Sequence, residues 1–458
     1  MRSAPTAGRW RASATSTGRP SGTGRRTASE PLSQGVTTEH WSRRYVVAAA
    51  AIFIAGIAIR AVLLPTPGLR GDLDQFVLCV HGIAVNGLPN AYDQHLSFPP
   101  VIAYVWWLMS LVQPAFQTVT DASDPAIRAF MKLPATLADL GLAALALYAL
   151  RDRLAWGIVA AAVILFHPAV IDVSAWWGQY ESVYLLFGLA AVVFALNGRN
   201  GLSAAVLALA VMTKPQALPF LVPFAAWYWA TGGPSGFVRA AAIGLGVVVL
   251  VWLPFIPAGG PANYLTGLAQ YQNDVLAVLS LRAWNMWWLV QEAAAGGAFI
   301  SDQGRVLGPI TLRHIGYGLT ALLEAVVFIA VLRDPRPRTL ILGLAASTLI
   351  AFSFLTTMHE RYVYGAVIFL ALLVEERTVR ALAVAFGIVF TLNLLAAIPP
   401  TPEIGAALPI AGPLGVAGSI AILAITVVCL RMVTGRGGDS PVAEPVRAGP
   451  DRYSERVG

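Results

Sequence analysis

Two aspartates, Asp72 and Asp74, lie two residues apart in a chain that is otherwise almost entirely apolar. A carboxylate beside a lipid bilayer is costly to desolvate, so an acid at such a place is a functional candidate. The pair could bind a divalent cation, or one of the two could act as a general base. The same residues could also be a helix N-cap and a solvated loop acid, and their spacing leaves these interpretations open.

A second polar cluster interrupts the hydrophobic sequence at Trp177, Gln179, Tyr180 and Glu181. Tryptophan and tyrosine at the edge of a membrane segment are commonly interfacial anchors. An amide and a carboxylate fit that role less well, and beside aromatic faces they suit the hydroxyl groups of a sugar. We therefore predict that this cluster contacts a sugar or an acceptor.

Basic residues in two later clusters could bind an anion. Lys214 precedes Pro215 between two apolar arms, where it could bind a phosphate or could snorkel from the end of a membrane segment. His359 and Arg361 flank Glu360. Arginine offers a planar fork that matches phosphate, and histidine adds a switchable donor. A purely structural pair of Glu360 with Arg361 is the alternative.

Other polar residues give weaker signals. Arg128 and Lys132 could join the basic group or could only anchor their membrane segment. Cys79 and Cys429 are too few to indicate a disulfide framework or a metal site. The sequence has no P-loop lysine motif, no Gly-x-Ser-x-Gly elbow and no HExxH helix. We predict no cofactor.

The elements that position these residues must be membrane helices. Of the 458 residues, 57% are hydrophobic and 12% are charged, whereas a soluble protein has about a quarter of its residues charged. Many continuous apolar runs approach the roughly 20 residues that span a bilayer. Because the runs do not alternate, they predict helices and not a β-barrel. The fold class is therefore all-α, a polytopic integral membrane protein.

About 11–13 membrane segments are expected. They run approximately over residues 45–64, 99–118, 130–150, 154–172, 182–197, 201–230, 237–256, 311–332, 339–357, 362–375, 380–398 and 409–431. The proline after Lys214 splits 201–230 into two arms too short to span, which predicts a broken hairpin lining a cavity. Segment 99–118 would have to enter and return, or lie along the surface.

Basic loops set the expected orientation, with both termini in the cytoplasm. The disordered N-terminal segment 1–44 carries most of the net charge of +7, and we interpret it as a membrane-surface anchor that binds no nucleic acid. The membrane domain covers 45–431, and 432–458 is a disordered cytoplasmic tail. The long first loop, 65–98, then lies outside the cell membrane together with the polar clusters, and 257–310 forms an external cap with an aromatic belt. A short helix over residues 73–86 would place Asp72 in its first turn.

In this order, the clusters resemble the GT-C superfamily of membrane glycosyltransferases, which use polyprenyl-phosphate sugars. The resemblance extends to the dolichyl-phosphate-glucose enzymes of N-glycan assembly and to the bacterial Gpi18-like mannosyltransferases. Six short motifs carry it: Gly71-Asp72-Leu73-Asp74-Gln75, Phe98-Pro99-Pro100, Met131-Lys132-Leu133 through Ala138-Asp139-Leu140, Gln179-Tyr180-Glu181, Lys214-Pro215-Gln216 and His359-Glu360-Arg361. Glu181 stands where the eukaryotic glucosyltransferases have asparagine, and Phe98 where they have tyrosine, so the sugar and the acceptor stay open.

The resemblance implies a helical bundle of the GT-C type and an inverting transfer of a hexose, with mannose favoured and glucose next. Asp72 is then the base, with Asp74 beside it in the catalytic group. Lys214, His359 and Arg361 hold the donor phosphate, without a metal. The acceptor is a glycolipid, a glycan or a protein. A transporter or flippase of a lipid-linked saccharide is the alternative function, and a polyprenyl-phosphate-binding scaffold is a third.

Overall fold

The computed structural model describes residues 42–94, 96–274 and 276–435. The predicted disordered termini, 1–44 and 432–458, lie largely outside these ranges. Residues 43–44 and 432–434 of these termini are described and helical, since the first helix begins at Arg43 and the last one ends at Thr434.

The described part of the chain is a bundle of α-helices with four very short strands. The helices are α1 (Arg43–Leu63), α2 (Arg70–Asn86), α3 (Pro100–Val112), α4 (Pro125–Ala149), α5 (Leu154–Phe166), α6 (Pro168–Ile171), α7 (Glu181–Leu196), α8 (Asn200–Val211), α9 (Leu221–Trp252), α10 (Gly260–Asp274), α11 (Met286–Ala295), α12 (Leu312–Arg333), α13 (Pro337–Phe354), α14 (Gly365–Ala371), α15 (Arg377–Ala397), α16 (Pro402–Ala407) and α17 (Pro413–Thr434). The strands are β1 (Ser280–Leu281), β2 (Arg305–Leu307), β3 (Ile310–Thr311) and β4 (Met358–His359). A π-helical turn, Asp172–Trp177, follows α6.

Seven helices in the described ranges are long and apolar enough to cross a membrane: α1, α4, α9 with its flanking turns, α12, α13, α15 and α17. An eighth span is possible if α5 joins α6 and the π-helical turn across a 52° bend. The protein is thus a polytopic all-α membrane protein. The larger predicted number of segments includes α3, α7 and α8, which are apolar but have only 13, 16 and 12 residues.

Two apolar cores hold the bundle together. In the larger one, α13 is almost wholly buried because α12, α14 and α17 pack around it, whereas α1 lies at its edge. The smaller core joins α2 and α3 to the start of α4. The apolar residues of α2 recur at the predicted helical spacing, and its helix begins at Arg70, three residues before the predicted start.

The helix is interrupted at Lys214, as the following proline predicted. After α8, residues 212–214 are not helical, and a 3₁₀ turn leads into α9. The freed carbonyl of Met212 accepts a hydrogen bond from the amide of Val101 at 3.0 Å, so α3 satisfies the backbone at the break. Within segment 99–118, helix α3 has only 13 residues, which are too few to cross a membrane. The predicted segments 201–230 and 237–256 meet at a kink at Gly233, whose φ of 63° ends one helical arm before Pro234.

The expectation of an aromatic belt over residues 257–310 was wrong for its three tryptophans. Trp284, Trp287 and Trp288 are buried, with exposures of 0–3%. The Trp284 ring lies against Gly418 of α17, where an added Cβ would come within 2.1 Å of it. The Trp287 indole donates to the carbonyl of Phe354 at 2.7 Å. These rings pack the cap onto the bundle and do not face lipid.

Candidate active site

Asp72 lies in the first turn of α2 and is half-buried. Its Oδ2 accepts two hydrogen bonds, from the Trp177 indole at 3.0 Å and from the Gln179 amide at 2.6 Å. Among the described residues, none donates a hydrogen bond to its Oδ1. One carboxylate oxygen is therefore fixed in place, and the other remains available to an incoming hydroxyl group.

Gly178 makes this double contact possible. It lies between the two donors with a φ of 91°, a backbone conformation that favours glycine. A Cβ at this position would approach Lys132 to 2.8 Å and Leu73 to 2.9 Å. The left-handed turn therefore directs the side chains on both sides of Gly178 towards the same carboxylate oxygen.

Asp74 does not join Asp72. Two residues that are two positions apart in an α-helix differ in direction by about 200° around the helix axis. The carboxylates of Asp72 and Asp74 therefore point to different sides of α2. Asp74 pairs with Arg70 at 3.0 Å, where both side chains are more than a third exposed, and it accepts from the amide of Ala122 at 2.8 Å. It fixes the start of α2 to a neighbouring loop. The sequence spacing suggested a shared site, and the helical geometry separates the pair.

The basic residues predicted to bind phosphate come together near Asp72. Lys214, His359 and Arg361 all lie close enough to interact electrostatically with the Asp72 carboxylate. The Arg361 guanidinium stacks 4.6 Å from the centre of the Trp177 ring, and this ring also donates to Asp72. Asp72 and Arg361, which are almost 300 residues apart in sequence, thus share one indole.

Carboxylates bind the side chains of both Lys214 and Arg361. The Lys214 ammonium contacts Glu181 Oε1 at 2.6 Å, and Arg361 Nε approaches the same oxygen at 3.4 Å, an ion pair without a good hydrogen bond. Arg361 also donates to Glu360 at 3.0 Å. Glu181 is fully buried and its carboxylate holds both cations, and its predicted contact with a sugar or an acceptor stays a prediction.

His359 ends β4, which pairs in parallel with β1 of the cap. Burial, reinforced by the charge of Arg361, lowers the pKa of His359 below its usual value, so the imidazole is neutral at pH 7. Burial opposes ionisation of Glu360, but contact with His359 and the charge of Arg361 outweigh it and lower the pKa of Glu360 to about 2. His359 is therefore a neutral hydrogen-bond donor beside two fixed charges.

Tyr180 belongs to the scaffold. It is fully buried; its hydroxyl donates to the carbonyl of Met131 at 2.9 Å and accepts from the Trp106 indole at 2.9 Å. The side chain joins α3 and α4, so both hydrogen-bonding roles of its hydroxyl are taken. Trp177 and Gln179 orient Asp72, and their predicted contact with a sugar stays a prediction.

Arg128 and Lys132 anchor their helix, the second of the two interpretations that the sequence left open. The Lys132 ammonium is bound by the carbonyl of Thr66 at 2.9 Å and that of Leu63 at 3.3 Å. Arg128 donates to the carbonyl of Pro65 at 2.9 Å. Both cations therefore hold the loop between α1 and α2, which delivers Asp72 to its site.

Two charged residues, Arg60 and Asp172, were not predicted from the sequence. Arg60 forms a buried pair with Asp139 at 2.8 Å, and Ser174 and Ser182 also donate to this aspartate. Asp172 is half-buried on the π-helical turn, where π-helical geometry often accompanies function. It borders an apolar cavity of about 340 Å³ that also touches Trp176. In the sequence, Arg60 and Asp172 could have been recognised as single charged residues inside apolar runs.

Within residues 42–94, 96–274 and 276–435, no three His, Cys, Asp or Glu side chains cluster so that they could hold a metal ion. Cys79 and Cys429 are free thiols. The expectations of no metal and no cofactor remain predictions.

The bundle, its broken helix and an acid close to buried cations define a polytopic all-α membrane protein. A family profile described as the ALG6, ALG8 glycosyltransferase family matches residues 90–399, about two thirds of the chain. The chain therefore belongs to this family and is a membrane glycosyltransferase. The matched part contains Gln179, Lys214 and Arg361, whereas Asp72 precedes it. A search of curated protein sequences found no match.

Proposed function

We propose that the protein transfers a hexose from a polyprenyl-phosphate donor to an extracytoplasmic acceptor, with inversion at the anomeric carbon. Asp72 accepts the proton of the acceptor hydroxyl while that oxygen attacks the anomeric carbon. The bond to the lipid phosphate breaks on the opposite side, through a transition state that resembles an oxocarbenium ion. Phosphate is a stable leaving group, so the reaction needs no general acid.

One observation carries the assignment of Asp72. Two donors bind its Oδ2, and no described residue donates to its Oδ1. A base needs an oriented carboxylate with one accessible oxygen, and this arrangement fits that need. A purely structural aspartate would be expected to have both oxygens occupied, as Asp139 has.

The leaving phosphate needs positive charge and hydrogen-bond donors. We assign Lys214 and Arg361 as the charges and neutral His359 as a donor. The stacking of Arg361 on Trp177 supports this assignment, because the same ring orients the base. The donor phosphate and the acceptor hydroxyl then lie on opposite sides of the hexose.

The sugar is a finer question. We retain mannose and glucose as the candidate hexoses; the resemblance to the dolichyl-phosphate-glucose enzymes supports glucose, and the resemblance to the Gpi18-like mannosyltransferases supports mannose. The acceptor is a glycolipid, a glycan or a protein. The apolar cavity beside Trp176, with a volume of about 340 Å³, suits a few isoprene units. We propose that neither a metal nor a cofactor takes part.

We further propose the cell membrane as the location, with cytoplasmic termini and an extracytoplasmic site. The basic loops support this orientation: 151–153 after α4, 333–338 after α12 and 377–380 at the start of α15. Asp72 follows the end of α1 that is distant from Arg43, while Glu181 and His359 follow the ends of α5 and α13 that are distant from these loops.

Incubation of the purified protein with polyprenyl-phosphate mannose, glucose and arabinose, together with membrane extract, tests the proposal. Mass spectrometry should detect a hexosylated product and free polyprenyl phosphate with one hexose donor. A transporter has the broken helix at Lys214 in its favour, since such helices also occur in transporters. Movement of an intact lipid-linked sugar across vesicles, without any product, would support that alternative and refute the transfer.

A further inference from the structure

Glu181, in the first turn of α7, is placed between the two cations of the site. Its Oε1 contacts the Lys214 ammonium at 2.6 Å and Arg361 Nε at 3.4 Å. Its Oε2 is buried and has no hydrogen-bond partner among the described residues. A single carboxylate oxygen therefore occupies the point where the two positive charges converge, which is also where a phosphate oxygen would bind.

The two cations of the site are already neutralised by the carboxylates that contact them. Lys214 and Arg361 supply two positive charges, and Glu181 and Glu360 supply two negative ones, while His359 is neutral at pH 7 and Asp72 lies nearby as a third carboxylate. In the described part of the chain, Glu181 is the only ion-pair partner of Lys214. A phosphate that enters must therefore displace a carboxylate from at least one cation.

We propose that Glu181 is a positioning residue that competes with phosphate for Lys214 and Arg361, and thereby drives release of the lipid phosphate product. The inference rests on the proposed function. The donor phosphodiester carries one negative charge, whereas the product phosphomonoester carries up to two at neutral pH. Two buried cations would hold the product more tightly than the substrate.

Glu181 reduces this difference in affinity between product and substrate. A buried cation that loses its partner without replacement is strongly unfavourable. When the product departs, the Glu181 carboxylate recaptures both cations, so neither is left bare. The energetic cost of releasing the product falls accordingly, and both cations are again paired with carboxylates before the next donor binds.

Binding of farnesyl phosphate to the full-length protein in detergent tests the proposal without turnover, with farnesol as the uncharged control. Glu181→Gln should bind farnesyl phosphate roughly 10- to 100-fold more tightly than wild type, because a unit charge a few ångströms away is removed. Farnesol binding should not change. Under turnover with donor and acceptor, this variant should show a burst of one product per enzyme followed by a slower steady rate.

Two further variants sharpen the test. Glu360→Gln removes a carboxylate that contacts Arg361 but not Lys214, and it should tighten farnesyl phosphate binding less. Glu181→Asp keeps the buried charge but shortens the side chain, so its affinity should lie between those of wild type and Glu181→Gln. This variant also provides the answer if Glu181→Gln fails to fold.

Weaker or unchanged farnesyl phosphate binding in folded Glu181→Gln, or in Glu181→Asp where only that variant folds, would overturn the proposal. Weaker binding would mean that phosphate needs Glu181 to hold the cations in place. Absence of sugar transfer by wild type, by contrast, would refute the proposed function alone. The farnesyl phosphate comparison would still decide whether Glu181 competes with phosphate.

Discussion

Replacement of Asp72 by asparagine removes the proposed base while keeping the shape of the side chain. Both hydrogen bonds to Asp72, from Trp177 and Gln179, end on the same oxygen, Oδ2. The amide oxygen of asparagine can take that position and accept both bonds. Its NH₂ group then occupies the position of Oδ1, where it cannot accept a proton from a hydroxyl group.

The expected magnitudes follow from this geometry. Loss of a well-placed base lowers kcat by about 10²–10⁴-fold. A hydrogen bond to a charged group contributes about 1 kcal/mol more than a bond to a neutral one, so two such bonds give an upper bound of about 2 kcal/mol in stability. Asp72 is only half-buried, and solvent screening reduces this figure further. The variant should therefore fold normally and bind the donor with a KM close to wild type.

The assay measures hexose transfer from polyprenyl-phosphate donor by purified wild type, Asp72→Asn and Asp74→Asn, with thermal unfolding in detergent as the check on folding. Asp74→Asn is the matched control, since Asp74 lies on the same helix but pairs with Arg70. It should retain most of the transfer rate. An active Asp72→Asn with an inactive Asp74→Asn would refute the reasoning, and two active variants would place the base elsewhere.

Three further outcomes are expected. Arg361→Lys loses the stacking on Trp177 and the planar fork, so the donor KM should rise about tenfold while thermal unfolding stays unchanged; a wild-type KM would exclude a phosphate contact. Asp139→Asn leaves buried Arg60 without its ion-pair partner and should lower the free energy of unfolding by about 3–5 kcal/mol, measured by denaturant titration; an unshifted midpoint would contradict the structural role. Incubation with EDTA should leave the transfer rate unchanged, and a loss restored by Mg²⁺ or Mn²⁺ would disprove the metal-independent mechanism.

Much of the site could be predicted from the sequence, because a charged residue inside a membrane protein is rare and costly. Asp72, Lys214 and Arg361 stood out against apolar surroundings, and the structure brings them together. The break at Lys214 was predictable as well, since proline cannot continue the helical hydrogen bonding. These local signals do not depend on which elements become neighbours.

Roles that depend on neighbours were not predictable. Glu181 was expected to face a sugar, yet the packing of α7 against the broken helix places it on two cations. The tryptophans of the cap were expected at a lipid surface, yet α17 and the end of α13 enclose them. The chemical type of a side chain limits its possible partners, and only the packing of the chain selects among them.

By itself, then, the sequence determined an all-α membrane architecture and the set of charged residues that the site uses, since hydrophobicity and desolvation act at each position separately. The tertiary structure alone decided which charges meet. Asp72 and Asp74 diverge because of the helical repeat, and Trp177 joins the acid to Arg361 because a glycine turn aims it there. Ion pairing between distant segments depends on distance and burial, which only the packed chain defines.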